Sequence, residues 1–290
     1  MARIGIIGMS GFVGSRLAGL ARDSGHEVVG FSRSVRPGCR LFPPTGLPDI
    51  SGLDAIINLA GETVLGIWTK GKRWRIRESR IDVTRRVVEA VVAAGRPVTL
   101  VNASSICFYG ETGESEVDEG SPAGAGFLAE TCVAWEAETR AAALAGQRVV
   151  CVRIGFVIGH GGAMRLVLPL FRAGLGGPLG NGRQWMSCVH VDDVAGLMLR
   201  AVEDVSVIGP VNAVMPRAVR NMEFTKTLAR LVARPAVIPA PAFALRFGLG
   251  GVSSILLDST RVVPQVAELL GYEFRYADAE SALQSLLTPK

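Results

Sequence analysis

A glycine-rich loop near the N-terminus constrains the fold of this chain more than any other feature of the sequence. The loop, residues 8–14 (GMSGFVG), follows the apolar run Ile4–Ile7 and precedes a stretch whose apolar residues recur at helical spacing. Between a strand and a helix, such glycines permit a sharp turn, a close approach of the backbone to a pyrophosphate and tight packing of the helix on the strand. A tight turn without a ligand is the alternative.

A second apolar run, Val28–Phe31, follows about twenty residues on, which is the context that makes the glycine spacing a dinucleotide-binding pattern. The residues of this loop that we expect to contact the cofactor are Gly8, Ser10, Gly11, Phe12, Val13 and Gly14. The end of the second strand selects between cofactors, because an acidic residue there binds a ribose hydroxyl and an arginine binds a 2′-phosphate.

The residues after the second strand favour the phosphorylated cofactor. Ser32 and Arg33 stand there, and the sequence has no carboxylate between Glu27 and Asp49. The guanidinium group presents a planar fork of donors that matches a phosphate. We therefore expect NADP(H) to be bound in preference to NAD(H), with Ser32 and Arg33 at the phosphate; an exposed loop arginine without a ligand is the alternative.

Short apolar runs and helical segments alternate along the first half of the chain. The runs expected to be buried parallel strands are Ile4–Ile7, Val28–Phe31, Ala55–Leu59, Val98–Asn102 and Val149–Ile154. The segments with helical spacing are Phe12–Arg22, Ile81–Ala94 and Leu128–Ala145. This alternation predicts an α/β fold, a Rossmann-type doubly wound parallel sheet with a small C-terminal substrate lobe.

Two stretches depart from this alternation. Residues 33–54 contain four prolines and are expected to form an irregular loop in place of the second crossover helix. Later in the chain, glycine-rich turns separate shorter helices expected around Asp193–Val202, Met222–Val232 and Arg261–Leu270. The most apolar later stretch, Ala236–Leu257, has Arg246 at its centre, so we interpret it as a buried helix and not as a membrane span.

Composition excludes several classes of protein. The chain has 290 residues, 49% of them hydrophobic, which allows a substantial core. Its five cysteines are widely separated and odd in number, and with three histidines they fit neither a disulfide framework nor a zinc site, so no metal is expected. We expect a reducing, cytoplasmic location, because the first residues resemble no secretion or insertion signal.

The net charge of +5 would suit a protein that binds nucleic acid. The basic residues are spread along the chain, however, except for a cluster between Lys70 and Arg86, and no recognition motif accompanies them. The cluster is either a solvated helix surface or a rim that attracts a phosphorylated ligand. We expect no nucleic-acid partner.

Four segments resemble the extended short-chain dehydrogenase/reductases, the group of sugar-nucleotide epimerases and dehydratases. They are residues 8–14, 58–61 (NLAG), 104–110 (SSICFYG) and 190–193 (HVDD). The resemblance implies an NADP-binding fold over nearly the whole chain. It also implies cofactor contacts from Leu59, Ala60, Gly61, Ser104, Phe156 and Val157.

Longer segments resemble a narrower group, the epimerase-family proteins of the YfcH type, which end in a short family-specific domain and act on poorly defined substrates. These are residues 75–80, 127–136, 180–187, 209–212, 261–264 and 270–274. The resemblance implies a cofactor-binding Rossmann core over residues 1–155, to which segments near 188–215 return. Residues 156–290 are then mainly the substrate lobe and the family-specific C-terminal region.

The catalytic pattern of the wider superfamily is incomplete in this chain. Members use a serine or threonine, a tyrosine, and a lysine four residues after that tyrosine; Ser105 fits the first role. None of the three tyrosines has a lysine four residues on, and the resemblance places Leu128 and Cys132 where the tyrosine and lysine belong. A substitute proton donor must be a titratable group near the nicotinamide.

Among the candidates, we place Glu130 first, because burial on the cofactor side of its helix would raise the pKa of its carboxyl group. A surface or ion-paired glutamate is the alternative. Tyr109 is the second candidate, and Cys132 is more readily interpreted as a small buried residue.

Arg183 and Trp185 are the candidate substrate contacts. An arginine beside a tryptophan can clamp an anionic or planar ligand through paired hydrogen bonds and a stacking surface, although both residues are equally compatible with structural roles. We assign His190 to backbone hydrogen bonding, and Asp192 or Asp193 to capping of the following helix.

Together these observations predict an NADP(H)-dependent oxidoreductase or epimerase that acts on a small carbonyl or hydroxyl compound. Ser105 would orient the reacting oxygen, and Glu130 or Tyr109 would handle the proton. The alternative is a non-catalytic NADP(H)-binding sensor, which the missing tyrosine–lysine pair allows. We expect no membrane partner, and a homodimer is compatible with the sequence.

Overall fold

The structure is a computed structural model that describes residues 1–287, without the side chain of Leu249. In the first part of the chain, apolar runs form the strands β1 (Arg3–Ile7), β2 (Glu27–Ser32), β3 (Cys39–Leu41), β4 (Ala55–Asn58), β5 (Thr99–Ser105), β6 (Glu116–Val117) and β7 (Val149–Ile154). The remaining strands are β8 (Phe156–Ile158), β9 (Trp185–Met186), β10 (Cys188–His190), β11 (Gly209–Ala213), β12 (Val219–Arg220) and β13 (Arg261–Val262).

The helices that alternate with the strands of the first half are α1 (Phe12–Asp23), α2 (Lys70–Ala93), α3 (Phe127–Glu138) and α4 (Arg140–Leu144). The later helices are α5 (Met164–Arg172), α6 (Val191–Glu203), α7 (Asn221–Leu231), α8 (Ala242–Leu249), α9 (Ser253–Leu257), α10 (Gln265–Leu269) and α11 (Ala279–Gln284). Short 3-10 helices cover Ile106–Tyr109 and Gly250–Val252.

One seven-stranded sheet organises the molecule, in the order β11-β7-β5-β4-β1-β2-β3. Every neighbouring pair in it is parallel. One apolar core packs on each face of the sheet, because its central strands are buried on both sides. The chain begins at β1 and builds outward in both directions, so the strand order reverses between β1 and β4. Ligands bind at such a switch point in open α/β sheets.

A smaller lobe stands at the carboxyl ends of the strands. It is built from the two-stranded pairs β8–β10 and β9–β12 together with α5, α7 and the C-terminal helices. Its own core includes Met164, Phe171, Phe224 and Leu283. The predicted fold class, a Rossmann-type sheet with a small C-terminal lobe, is therefore confirmed. Within the described residues, no helix combines the length and the apolar character that crossing a membrane requires.

Several local predictions were wrong. The proline-rich interval contains β3, which extends the sheet beyond β2. The expected helix at Leu128–Ala145 is interrupted at Thr139, whose hydroxyl bonds back to the Glu136 carbonyl at 2.7 Å. The expected helix at Arg261–Leu270 begins as β13 and becomes helical only after Pro264, which cannot donate a backbone hydrogen bond.

The apolar stretch Ala236–Leu257 is not a buried helix. Pro241 delays the start of α8, and the 3-10 helix Gly250–Val252 separates it from α9. On α8, Phe243 is 76% exposed and Phe247 is 94% exposed. The capping prediction after β10 was also wrong, because His190 itself caps α6.

Candidate functional site

The loop between β1 and α1 is a narrow backbone cradle. Gly8 has a φ of +83°, a conformation that residues with a side chain rarely adopt. A Cβ atom at Gly14 would lie 2.2 Å from the Gly8 carbonyl oxygen, so only glycine fits where the helix crosses the loop. Gly11 is the N-cap residue of α1 and carries no capping side chain. The first amide groups of the helix are therefore presented to an anion, as a pyrophosphate requires.

The side chain of Phe12 has a structural role at the start of α1. Its ring packs against residues 159–162, where Cβ atoms at Gly159 and Gly161 would lie 2.5 Å and 2.3 Å from the ring. Glycines therefore let this loop close over the first turn of α1. The predicted cofactor contact of Phe12 would have to come from its backbone.

The end of β2 carries the residues predicted to bind a 2′-phosphate. Ser32 is half-buried and its Oγ accepts a hydrogen bond of 3.3 Å from the Ser34 amide, while Arg33 is exposed. Lys72 hydrogen-bonds the Glu62 carboxylate at 2.7 Å and, with Arg75 and Arg33 nearby, lowers the pKa of that carboxyl group. Three cations thus surround one carboxylate, which leaves a positive field at this end of the sheet.

Three other arginines of the basic cluster on α2 contact the protein itself. Arg85 forms an ion pair with Glu138 at 2.8 Å, and Arg86 donates to the carbonyl oxygens of Pro43 and Gly46 at 2.5 and 2.7 Å. Arg80 is half-buried, donates to the Glu62 and Ile76 carbonyl oxygens, and stacks over Trp135 at 5.2 Å. These three arginines therefore hold neighbouring segments in place, and the choice between a solvated surface and a phosphate-attracting rim concerns the other members of the cluster.

The residues after β4 follow a buried cluster of hydrogen-bonded polar side chains. Asn58 accepts a hydrogen bond from the Ala60 amide at 3.1 Å and donates to Asn102 and Thr84 at 2.8 and 2.9 Å. This fixes the path of Leu59 beside the glycine cradle, since a Cβ at Gly8 would lie 3.0 Å from the Leu59 carbonyl group. Gly61 lies against Arg80. Of the predicted cofactor residues Leu59, Ala60 and Gly61, Leu59 therefore borders the loop after β1, and the other two follow it along the chain.

Two serines end β5 and have different surroundings. Ser104 is buried and donates to Glu136 Oε1 at 2.6 Å. Ser105 is half-buried, and its Oγ accepts a hydrogen bond of 3.2 Å from the Cys107 amide. The same side chain also hydrogen-bonds the Cys107 thiol, although burial still raises the pKa of that thiol. Because sulfur is a weak acceptor, a ligand oxygen can compete for the Ser105 hydroxyl proton. Ser105 is thus the better placed of the two to orient a reacting oxygen.

Glu136 and Arg153 form a buried ion pair that the sequence analysis missed. The guanidinium binds both carboxylate oxygens, at 2.9 and 2.8 Å. Burial opposes the charge of Arg153, but the carboxylate outweighs this effect and raises the pKa of the guanidinium. The periodicity of α3 signals the apolar Ala129 and Trp135, and nothing in it distinguishes Glu136 from an exposed glutamate.

Tyr109 belongs to the same network. Its hydroxyl accepts from Arg153 Nη1 at 2.9 Å and donates to Asn212 Oδ1 at 2.8 Å. The residue is only 3% exposed, and burial raises the pKa of the phenol. Since both hydrogen-bonding roles of the hydroxyl are in use, the structure argues against Tyr109 as the proton donor.

Glu130, the first candidate for the proton donor, is not buried as that role requires. The argument for it required burial, and the structure places Glu130 on the exposed side of the first turn of α3. On the same helix, Cys132 is buried, and that burial raises the pKa of its thiol. Cys132 is therefore the small buried residue that the sequence favoured and not a nucleophile.

The predicted substrate residues are divided between a cavity and the surface. Trp185 lines a cavity of about 240 Å³ in the C-terminal lobe, and its indole donates to Glu114 at 3.1 Å. Arg220 stacks on the Trp185 ring at 3.8 Å and forms a bidentate pair with Glu114, which lowers the pKa of that carboxyl to about 2. Arg183 is exposed and is not among the residues that line the cavity.

Asp258 is a further site residue that the sequence did not reveal. It lines the same cavity, is half-buried, and has a carboxyl pKa raised to about 6 by burial and by the neighbouring Glu111. Its position in the sequence, directly after the apolar run Ser253–Leu257, was the available signal. The predicted cofactor residues Phe156 and Val157 lie on β8, and Phe156 lines the cavity with Trp185.

His190 has the structural role expected of it. Its Nδ1 accepts from the Asp192 amide at 3.1 Å, and burial lowers the pKa of the imidazole to about 4. Asp193 accepts from the Arg275 and Tyr276 amides at 2.7 and 3.1 Å, so it holds the C-terminal segment. Among the described residues, no cluster of three or more histidine, cysteine, aspartate or glutamate side chains could hold a metal ion.

An all-parallel sheet whose first strand runs through a glycine cradle into a helix defines a Rossmann-type α/β protein. Residues 4–214 match the NAD dependent epimerase/dehydratase family, and residues 240–286 match a domain of unknown function, DUF1731. The chain therefore belongs to the NAD dependent epimerase/dehydratase family.

Three relatives span nearly the whole chain. This chain is 35% identical to the chloroplastic epimerase family protein SDR39U1 homolog of Arabidopsis thaliana, over 98% of this chain and 86% of that protein. It is 34% identical to the epimerase family protein YfhF of Bacillus subtilis, over 99% and 98%. The crystal structure of the human epimerase family protein SDR39U1 with NADPH superposes with a TM-score of 0.91 at 32% identity, over 98% of each chain.

Proposed function

We propose that this protein is an NADP(H)-dependent oxidoreductase or epimerase that acts on a small carbonyl or hydroxyl compound. The observation that carries the proposal is the glycine cradle, where Gly14 leaves no room for a Cβ beside the Gly8 carbonyl oxygen. A similar human protein of the same family has been crystallised with NADPH. We also infer membership of the YfcH type, on the segments that resemble that group, and a reducing, cytoplasmic location, on the five free cysteines.

The residues present fit a dinucleotide phosphate. The amides at the start of α1 would hold the pyrophosphate, Leu59–Gly61 would border it, and Arg33 with Ser32 would hold the 2′-phosphate in the field of Lys72 and Arg75. When bound, the cofactor supplies or accepts a hydride at its nicotinamide ring. Residues 1–155 are proposed to form the cofactor-binding core and residues 156–290 mainly the substrate lobe, with β11 returning to the core.

Ser105 is the residue that we propose to orient the reacting oxygen. It ends β5 at the same carboxyl end of the sheet as the cradle, and its hydroxyl proton can be donated to a carbonyl or hydroxyl oxygen in place of the weak thiol acceptor of Cys107. Neither Tyr109 nor Glu130 is retained as the proton donor. Trp185 is retained as a wall of the substrate cavity, whereas Arg183 is placed at its outer surface.

The cofactor assignment is tested by calorimetric titration with NADPH and NADH. Arg33→Ala removes charge-assisted hydrogen bonds to a phosphate and should weaken NADPH binding by about 10- to 100-fold while leaving NADH binding unchanged. Arg36→Ala removes an exposed arginine of the same loop and is the matched control. Equal losses in the two variants would contradict the assignment of Arg33, and failure of the wild-type protein to bind either cofactor would refute the proposed function.

A non-catalytic NADP(H) sensor is the second candidate, because Leu128 and Cys132 stand where the resemblance places the tyrosine and lysine. The two functions differ in turnover. Loss of NADPH absorbance in the presence of a carbonyl compound supports the enzyme, whereas tight binding without oxidation over a broad panel of such compounds supports the sensor.

A further inference from the structure

The C-terminal lobe contains a cavity that is larger than a water site and mostly apolar. It lies among α5, α7 and residues 238–258 and has a volume of about 240 Å³. Its walls include Phe156, Phe171, Phe224, Leu179 and Leu256. For comparison, an apolar protein cavity of roughly 150 Å³ stays dry and binds benzene. This cavity therefore has room for an apolar molecule larger than benzene.

The charges around the cavity do not suit a nucleoside diphosphate. Among the described residues that line it, the one charged side chain is Asp258, an acid. Arg220 and Arg261 stack on the outer Trp185 at 3.8 and 4.8 Å, but both are paired with carboxylates, Glu114 and Glu116. A diphosphate needs cations or free backbone amides as partners, and an unpaired acid repels it.

Asp258 supplies a polar handle inside this apolar surface. Within the part of the chain that the structure describes, no hydrogen bond or ion pair engages its carboxyl oxygens; Glu111 and Arg246 act on it through space. Burial keeps the proton on this carboxyl group to a higher pH than usual. In the protonated form, which predominates below about pH 6, it can donate a hydrogen bond to an uncharged carbonyl oxygen.

The cavity also approaches the strand that carries Ser105. Ile106, the residue directly after Ser105, belongs to its lining, as do Ser187 and Thr260. A ligand in the cavity can therefore place one end beside the strand that carries Ser105. Leu170 and Ile238 line the cavity and are each 52% exposed, so it is open to solvent at that side.

We propose that this cavity binds an uncharged ketone or aldehyde with an apolar body, and that a nucleotide sugar is not the substrate of this protein. The proposal rests on the proposed function, since it names the substrate class of that same site. The carbonyl oxygen lies toward Asp258 and Ser105, and the hydrocarbon part fills the space between α5 and α7.

Binding is measured by calorimetry on the intact protein with three probes: 2-octanone, dihydroxyacetone and UDP-glucose. Each buried methylene group tightens binding by about fourfold, so 2-octanone, with five more carbon atoms, should bind on the order of a thousandfold more tightly than dihydroxyacetone. UDP-glucose should give no heat of binding. NADPH is titrated separately, so that failure of cofactor binding, which refutes the proposed function, is distinguished from failure of ketone binding.

Two phenylalanine substitutions locate the site. Ala240 lines the cavity, and Ala240→Phe should fill part of it and weaken 2-octanone binding at least tenfold. Ala244 is exposed on α8 and does not line the cavity, so Ala244→Phe should leave the affinity unchanged. Unchanged NADPH binding in both variants shows that they are folded. The proposal is overturned if 2-octanone does not bind a protein that binds NADPH, if Ala240→Phe binds it normally, or if UDP-glucose binds.

Discussion

Glu136 accepts hydrogen bonds from three donor atoms on two neighbouring strands, and so it joins α3 to the central sheet. Ser104 donates from β5 at 2.6 Å, and Arg153 donates twice from β7, at 2.8 and 2.9 Å. The side chain of Arg153 is 5% exposed, so its charge has little access to water. Removing the carboxylate charge would leave a buried cation without compensation.

Glu136→Gln is therefore expected to lower the free energy of unfolding by about 3–5 kcal/mol. Glu138→Gln, two residues on, breaks the Arg85 ion pair, whose arginine side chain is 48% exposed, and should cost less than about 1 kcal/mol. Urea unfolding followed by circular dichroism measures both values. Similar urea midpoints for the two variants would show that the buried ion pair contributes no more to stability than the exposed one.

Asp258 gives a prediction about pH. Its carboxyl pKa rises from 3.8 to about 6 in the folded protein, mainly through burial and then through Glu111, while Arg246 opposes the rise. The folded state therefore keeps a proton that the unfolded state loses, and this group's contribution to stability falls as pH rises from about 4 to about 6. The thiol of Cys107, which Asp258 also affects, stays protonated in this window because burial raises its pKa.

Asp258→Asn removes the titration, so the thermal midpoint of the variant minus that of the wild type should increase between pH 4 and pH 6 and then level off. The difference between the two proteins cancels His190, whose pKa lies at about 4 in the fold and whose contribution runs in the opposite direction. A pH-independent difference would show that Asp258 titrates as an ordinary surface carboxylate.

At the scale of single elements, α1 contains two glycines with opposite surroundings. Gly14 crosses the loop so closely that a Cβ would lie 2.2 Å from the Gly8 carbonyl oxygen, whereas a Cβ at Gly19 would meet nothing within 4 Å. Gly14→Ala should therefore destabilise the protein by about 1–3 kcal/mol through overpacking and weaken NADPH binding. Gly19→Ala should stabilise the helix by up to about 1 kcal/mol. Thermal unfolding with and without NADPH checks both, and equal effects would refute the cradle geometry.

The sequence located best the strands that are buried on both faces and the helices whose apolar residues recur at helical spacing. The strand Val149–Ile154 was predicted with the bounds that the structure shows, because it is short, mainly apolar and rich in β-branched residues, which favours a buried strand over a helix. β3 was missed, since Cys39–Leu41 is three residues long and only partly apolar. α2 begins well before the predicted Ile81, because Thr69 caps it through the Lys72 amide in a stretch whose composition is mainly basic.

The candidate site was predictable only where one backbone feature implies it. The glycine cradle and the Ser105 position follow from local spacing. The environments of Glu130, Tyr109 and Asp258 depend on which side chains distant segments bring together, and periodicity carries no such information. Tyr109 meets Arg153 and Asn212, which lie far along the chain, and Asp258 reaches the cavity only through the break after α8.

At the scale of the whole molecule, the positive net charge is distributed in a way that disfavours a nucleic-acid surface. Many arginines are held in pairs across elements, including Arg3–Glu27, Arg85–Glu138 and Arg230–Glu280. The group formed by Arg33, Lys72 and Arg75 around Glu62 is a local exception beside the proposed cofactor phosphate. Its size suits one phosphate better than a polymer backbone.

The short parallel ladder of β6 and β13 has a consequence for how fast ligands exchange. It ties residues 116–117 to residues 261–262, and Thr112 with Ser259 and Asn212 with Val263 add hydrogen bonds of 2.8 and 2.9 Å across the same seam. A lobe fastened in this way does not swing open as a rigid body. A molecule in the cavity then enters and leaves at the side of Leu170 and Ile238, which is open to solvent, so its exchange is governed by that opening and not by a hinge between halves.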